Sequence, residues 1–448
     1  MIPRNQKFNW VLLILAGAWS ASRAMGAAPP EPLEAEWRKI ETKPAPINAV
    51  QLPYLVMTPG AFDKSLFHII TFPVNGAAVD TELPHFGNDK DGKPHPALMA
   101  KYAQGTIWID FNGDGKADSK ETRAIKQDGW TDPFTCELFF EDGTSSNYTF
   151  RIKQIAEKEK YQIVRFEAKS FQYNGKTVTI FDDDGNGKYN DAGRDSVLVE
   201  GQPVCLLGKY MQIGDALVEL IVHASGSTVE VRPAPKDLAL GAINPFDKYV
   251  SPQNSEDLKI HTLIFSGPEG AFSFDATHRT AKVPVGAYDL SFGLFERHKE
   301  IMYVHKGEKS SFNVTANVVS QPAWGAKVKI KFTITSDGEE VTLSAPHFIG
   351  QMSEEYFPEL GKALQGSARL TMVYHDRTHF DIEQLQQFGQ HKLDLLPDGD
   401  FKPTVFKRYR NYNDDYEGIM EYTSGIIGRV EGKERFSFTY KKKDPAKK

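Results

Sequence analysis

Cysteine is nearly absent from this chain, with only Cys136 and Cys205 among 448 residues. That scarcity, and the lack of any C-x-x-C or Cys/His spacing, excludes a zinc-finger scaffold and a disulfide-dense small fold. Two readings of the pair stay open: one disulfide, which would close a long loop and contribute about 4 kcal/mol in the chain-entropy description, or two buried free thiols. Long apolar runs are missing as well. The stretch from Trp10 to Trp19 is too short to span a bilayer, and no later stretch approaches the roughly 20 residues that a span requires. Basic charge is in deficit: 53 Lys and Arg against 59 Asp and Glu give a net charge of -6. Without residues 1–27 the balance is 50 against 59, or -9, and without Lys441 to Lys448 as well it is 45 against 58, or -13. Such a body lacks the basic footprint that nucleic acid demands and suits cations instead.

Catalytic signatures are also lacking. No G-x-S-x-G elbow, phosphate-cradling glycine loop or H-E-x-x-H pattern occurs. His375-Asp376-Arg377-Thr378-His379 comes nearest to a metal motif, but Met372-Val373-Tyr374 leads into it as a strand. Histidines four apart on a strand share a face yet lie too far along it to grip one ion, so they read as polar residues at a strand end. No residue set is left on which to place catalysis.

What is present begins with Arg4 and Lys7, then the apolar run, then Ser22, Ala24, Gly26 and Ala27. This is the pattern of a secretory signal peptide cleaved near Ala24 to Ala27, so the chain is expected to be secreted or periplasmic. No cysteine follows the run, which argues against a lipid anchor. Residues 28–51 are rich in Pro and Ala and read as a linker, with room for a short helix around Leu33 to Ile40. Residues 52–236 carry short alternating runs at Leu66–Val74, Gly105–Ile109, Thr135–Glu141, Tyr148–Ile155, Tyr161–Ala168 and Thr177–Phe181. Asp-Gly and Asn-Gly turns punctuate them, as in an antiparallel β domain.

Two loops in this domain carry the chemistry. Asp110-Phe111-Asn112-Gly113-Asp114-Gly115-Lys116-Ala117-Asp118-Ser119-Lys120-Glu121 satisfies each fixed position of D-x-[DN]-x-[DN]-G-x5-E. Ca2+ is a hard cation that takes six to eight oxygens, and the pattern supplies them from a loop curled around one point. Asp110, Asn112 and Asp114 would point inward, the Lys116 carbonyl would face the ion after the turn at Gly115, Asp118 would act directly or through water, and Glu121 would add two oxygens. The alternative is a polar turn at a hairpin tip, which Asp, Asn and Gly also favour. Asp182 to Asp191 repeats the design after the strand-like Thr177 to Phe181. Asp182, Asp184 and Asn186 occupy positions 1, 3 and 5, Gly187 position 6, Lys188 offers its carbonyl, and Asn190 stands at 9. Position 12 is Gly193, which has no side-chain ligand, so Asp191 or Asp195 would substitute.

Both stretches resemble EF-hand and dockerin-type calcium loops over about a dozen residues each. The likeness ends there, because Thr106-Ile107-Trp108-Ile109 enters the first loop as a strand and Ser119 to Gln127 leaves room for only a short helix. The loops therefore read as structural calcium sites on a β scaffold.

Residues 237–320 show strand-like runs at close spacing, as in a β-sandwich. Val283-Pro284-Val285-Gly286-Ala287-Tyr288-Asp289-Leu290 resembles the V-P-x-G-x-Y-x-L corner of transthyretin-like and carboxypeptidase-regulatory-like domains, which implies a partner-binding or spacer module. Residues 321–440 read as a further, Ig-like sandwich, and residues 441–448 as a basic tail. Between its strands, Asn411-Tyr412-Asn413-Asp414-Asp415-Tyr416-Glu417 is an aromatic, acidic loop that could stack on sugars, although rim tyrosines have the same composition. The expectation is a mainly β protein of two or three antiparallel sandwich-like domains with few short helices. It would be exported, would bind calcium and would act as a binding or scaffold protein toward an extracytoplasmic protein or glycan. The alternative is an exported, glycan-active hydrolase with structural calcium.

Overall fold

Phe134–Phe139 shows how the sequence pattern becomes structure: Phe134, Cys136 and Leu138 are buried while Thr135 and Glu137 are exposed. Side chains alternate across a strand, so such a segment can cover a core with one face and meet water with the other. The computed structural model describes residues 36–46, 69–71, 81–82, 99–103, 105–111, 116, 118–141, 143–154, 160–183, 185–251, 257–298, 300–308, 310–325, 327–337, 340–343, 346–358, 367–375, 384–385, 404–407 and 415–437. Among these residues every regular element is a strand, and no helix is long and apolar enough to cross a membrane.

The strands form several antiparallel sheets, sandwich-like in their packing. One has the order Arg38–Glu41, Thr228–Pro233, Ala216–Val222, Tyr210–Ile213. Another runs Ile69–Thr71, Lys160–Arg165, Ser145–Gln154, Phe134–Phe139, and a third Cys205–Leu206, Ser196–Val199, Lys176–Phe181, Glu167–Tyr173, Lys43–Pro46. The first calcium-loop pattern follows a strand of a fourth sheet, in which Thr106–Ile109 lies between Met99–Ala103 and Thr122–Ala124.

The segment that reads as a linker differs from expectation. Arg38–Glu41 pairs with Thr228–Pro233, Lys43–Pro46 pairs with Glu167–Tyr173, and no helix forms among the described residues 36–46. Thr42 joins the two strands and is held by the Ser227 and Gly226 carbonyls at 2.9 and 2.5 Å. Proline is tolerated because Lys43–Pro46 is an edge strand, where a missing N–H leaves no ladder bond unmade. The residues after Glu121 likewise form the short strand Thr122–Ala124, not a helix.

An eight-stranded sheet built around Lys259–Gly267, Gly286–Arg297 and Glu300–His305 is buried on both faces. Ile264, Phe292, Leu294 and Tyr303 pack into one core with Phe134, Phe150, Ile180 and Val231. Leu263, Phe265, Leu290, Phe295, Met302 and Val304 pack into a second core with Trp324, Phe348, Ile427 and Val430. Alternation assigns successive residues to opposite cores, so this sheet is a shared wall.

The V-P-x-G-x-Y-x-L segment turns a corner at that wall. Gly286 has φ 151°, a conformation that favours glycine, and a Cβ there would press on Pro268. Tyr288 is buried and donates its hydroxyl to the Pro284 carbonyl at 2.9 Å, tying the end of one strand to the start of the next. Burial pushes its phenol well above the usual range.

Cys136 and Cys205 are free thiols, so the disulfide is not formed. Both are buried in the first core, and desolvation pushes each thiol up to about 12. His305 lies edge-on to Phe292 and Phe357, with ring centroids 5.5 and 5.3 Å away. Burial alone pulls its imidazole down to about 3. Unfolding restores an ordinary imidazole, which binds a proton below about 6.5, so the folded state loses stability as pH falls through the interval from about 6.5 toward 3. The unfolding free energy obtained from urea titrations between pH 7 and 4 should fall with a slope of about 1 kcal/mol per pH unit in the wild type. The slope should be visibly flatter in His305→Phe, and parallel curves would contradict the assignment.

Candidate metal centre

The first loop starts where a core strand ends. Ile107 and Ile109 are fully buried, and Phe111, one residue into the loop, packs edge-on against Phe134 and Phe150 at 6.0 and 6.1 Å. Asp110 is thereby held between two anchored neighbours, and the residue is 8% exposed. Glu121, at the other end, is 2% exposed. Its carboxylate accepts the Phe111 amide at 2.9 Å and the Trp108 indole N–H at 3.2 Å, while its own carbonyl accepts the Ile109 amide at 2.9 Å. The loop is closed by its two ends, with Glu121 folded back beside Asp110 along the chain. Asp118 is exposed, and its Oδ1 accepts the Lys120 and Glu121 amides at 2.7 and 3.0 Å, an Asx-type turn that aims Glu121 inward. Lys116 is exposed, and Asn112 and Asp114 lie outside the described residues.

The second loop is tighter. Asp182 follows the fully buried Phe181 and is itself 0% exposed. Its two oxygens accept the Asn186 amide at 3.1 Å and the Gly187 amide at 2.9 Å. Position 1 therefore bonds to positions 5 and 6, and the backbone curls back over the first ligand position. Gly185 and Gly187 supply the curl with φ of 65° and 84°. Asn186 donates its side-chain amide to Asp191 Oδ2 at 2.6 Å and accepts the Lys188 amide at 2.7 Å.

Asp195, 0% exposed, closes this loop by accepting the Asp183 amide at 3.2 Å and the Asp191 amide at 2.9 Å. The two substitutes offered for position 12 thus take different parts: Asp195 gathers both ends, and Asp191 braces Asn186. Gly193 itself sits in a left-handed turn with φ 77° and donates its amide to the Leu207 carbonyl, which explains why no ligand side chain stands there. Lys188 is half-buried, Asn190 is exposed, and Asp184 lies outside the described residues.

Tyr189, which the pattern passes over, is the second loop's counterpart of Phe111. It is 2% exposed, its amide bonds to the Ala224 carbonyl at 3.0 Å, and the Lys169 ammonium lies 5.5 Å from its ring centre. Burial lowers the Lys169 pKa, against the opposing pull of Glu167. A large aromatic inside an otherwise polar loop was the available signal for both anchors.

Among the described residues no group of three or more His, Cys, Asp or Glu side chains is arranged to hold a metal ion. The carboxylates of Asp118, Glu121, Asp182 and Asp195 accept backbone amides, an arrangement that rigidifies the loops with or without an ion. His375 ends the strand Ser367–His375, and His379 and residues 411–414 lie outside the described residues.

No protein-family model matches the chain, and no curated protein matches it. Among solved structures, the crystal structure of a DUF3823 family protein from Bacteroides ovatus matches at 9% identity, covering 44% of this chain and 100% of that one, with a TM-score of 0.16. A likeness of that size carries no argument about this chain.

Asp195 gathers two amides from opposite ends of the second loop. Removing it leaves two amides without their buried acceptor, so Asp195→Ala should cost about 2–4 kcal/mol by urea unfolding in the presence of a chelator. Asp195→Asn, which keeps one acceptor oxygen, should cost less, and Asp118→Ala on the exposed turn less again. A different order would refute the closure role.

Proposed function

We propose that the protein is an exported, calcium-binding, modular β protein that acts in extracytoplasmic binding or scaffolding, with calcium in a structural role. The observation that carries this reading is the recurrence of one unit: a core strand that runs into D-x-[DN]-x-[DN]-G, with its first aspartate buried at the strand end in both copies. Buried carboxylates are costly unless they are paired or hydrogen-bonded. Backbone amides meet part of that cost, and each carboxylate oxygen still has a second lone pair to offer a cation. In the first loop Asp110 and Glu121 would contribute, with Asn112, Asp114, the Lys116 carbonyl and Asp118 completing the shell. In the second, Asp182, Asp184, Asn186 and the Lys188 carbonyl would contribute, with Asn190 and Asp191 beside them and Asp195 behind. The amino-terminal leader and the acidic body support an exported protein that meets abundant calcium.

A cation bound only by the folded state stabilises it by RT ln(1 + [Ca2+]/Kd), or about 2.7 kcal/mol at a hundredfold excess over Kd. Calcium should therefore raise the melting temperature of the mature protein and a chelator should lower it. Asp110→Ala combined with Asp114→Ala should remove the part of that difference due to the first loop. Calorimetric calcium titration that returns no heat, with melting curves unchanged by chelator, would sink the proposal.

Within the first loop, Glu121→Gln should weaken binding more than Asp118→Asn. Position 12 supplies two oxygens, whereas position 9 often acts through water. Calorimetric titration of the two variants checks the order, and the reverse would contradict the ligand assignment.

A further inference from the structure

On the sheet face opposite the first core, three elements bring cations and aromatic rings together. Ser145–Gln154 alternates, so Phe150 and Ile152 are buried while Arg151 and Lys153 share the outer face. The turn at Asp128 and Gly129, with φ 81° at the glycine, lays Trp130 across that face, where its backbone bridges to Lys153. Phe166, tied by its amide to the Thr149 carbonyl at 2.9 Å, comes from the far side. The Arg151 guanidinium lies 3.8 Å from the Trp130 ring centre and 5.5 Å from that of Phe166, and the Lys153 ammonium lies 5.1 Å from Trp130.

Two cations on one indole, two residues apart on one strand, repel each other. The rings compensate in part, because a π face attracts each cation. Packing also restricts the guanidinium: it lies against two rings, and Nε is buried with no hydrogen-bond acceptor. Arg151 as a whole is half-exposed, so the solvent-facing donors are the terminal N–H groups, pre-oriented as a planar fork. Burial lowers the Arg151 pKa and the Asp128 charge opposes that shift. Lys126 is already paired with Asp132 at 2.5 Å, which leaves Lys153 as the second cation facing the stack.

We propose that Trp130, Arg151, Lys153 and Phe166 form a subsite for a carboxylate-bearing saccharide. A carboxylate matches the terminal fork of Arg151 in its plane and draws on Lys153, and the ring edges on either side offer apolar surface to a sugar. The acidic body repels a dense polyanion, so the ligand that fits carries isolated charges on a largely neutral chain. The inference names a partner class for the binding role proposed above and does not depend on calcium.

The test is calorimetric titration of the mature protein, in calcium buffer, with an oligosaccharide in which glucuronate alternates with a neutral sugar. A neutral oligosaccharide of equal length, a densely sulfated one and an acidic peptide serve as comparisons. The alternating glucuronate chain should bind, less tightly as salt is raised, and the other three should bind at least tenfold more weakly. Arg151→Lys should weaken binding about tenfold, because a point charge replaces a two-pronged donor. Lys153→Gln, on an exposed side chain that leaves the fold intact, should weaken it several-fold, and Lys126→Gln should leave it unchanged. Absence of binding, equal binding of the neutral chain, preference for the sulfated chain or the peptide, or unaltered affinity in both Arg151→Lys and Lys153→Gln would overturn the proposal. Calcium occupancy is judged separately by metal titration, so either idea can fail alone.

Discussion

A sheet covered on both faces can present water with nothing but its ends and edges. That constraint governs the strands Lys259–Gly267, Gly286–Arg297 and Glu300–His305, whose successive side chains enter two different cores. Apolar residues at nearly every central position follow, as do close backbone approaches. A Cβ on Gly270 would lie 2.3 Å from the Tyr210 carbonyl oxygen, so the strand Gly270–Phe274 touches its neighbour only because that residue is glycine. One polar group of the wall is satisfied from outside the sheet: Thr262 is fully buried and its hydroxyl donates to the Val204 carbonyl at 2.9 Å. Polar chemistry is thereby displaced to where strands end.

The Asp-rich loops occupy such ends, and their geometry follows from the desolvation cost of a carboxylate. Asp182 and Asp195 can be fully buried because four backbone amides converge on their oxygens. Glu121 is treated in the same way by one amide and one indole. Glu354 shows the rule away from the loops: its carboxylate accepts the Gly325 and Met352 amides, each at 2.7 Å, while burial still raises its pKa. Backbone amides thus accompany several of the buried acids, whereas Glu219 is buried against the Arg232 guanidinium at 2.7 Å, and the two loops are distinguished by carrying buried acids at both ends of a repeated pattern.

Much of this was legible in the chain. Strands such as Glu300–His305 and Ser367–His375 follow directly from apolar and β-branched runs, and the loop boundaries follow from the spacing of Asp, Asn and Gly. The Tyr288 corner was visible as a motif, although the hydrogen bond that makes it a corner was not. Arg38–Glu41 and Lys43–Pro46 were hidden because edge strands depend on a partner about 120 to 190 residues away, which local composition does not report. The same limit concealed the part Asp195 plays, since its value lies in amides that only the folded loop brings to it. The pairing state of Cys136 and Cys205 was likewise beyond reach, because it depends on where two distant strands deliver their side chains.

Alternation also links the core to the outer face. Each residue of Ser145–Gln154 that packs inward obliges its neighbour to face out, so the burial of Phe150 and Ile152 places Arg151 and Lys153 side by side on the surface. Register then matters more than composition: a slip of one residue would send the two cations into the first core and the rings of the core into water. The pairing of Phe134 with Phe150, whose rings stack at 5.6 Å, opposes that slip. Phe111 rests on the same two rings and anchors the start of the first loop. One aromatic cluster therefore sets both the position of the buried acids on one side and the spacing of the exposed cations on the other.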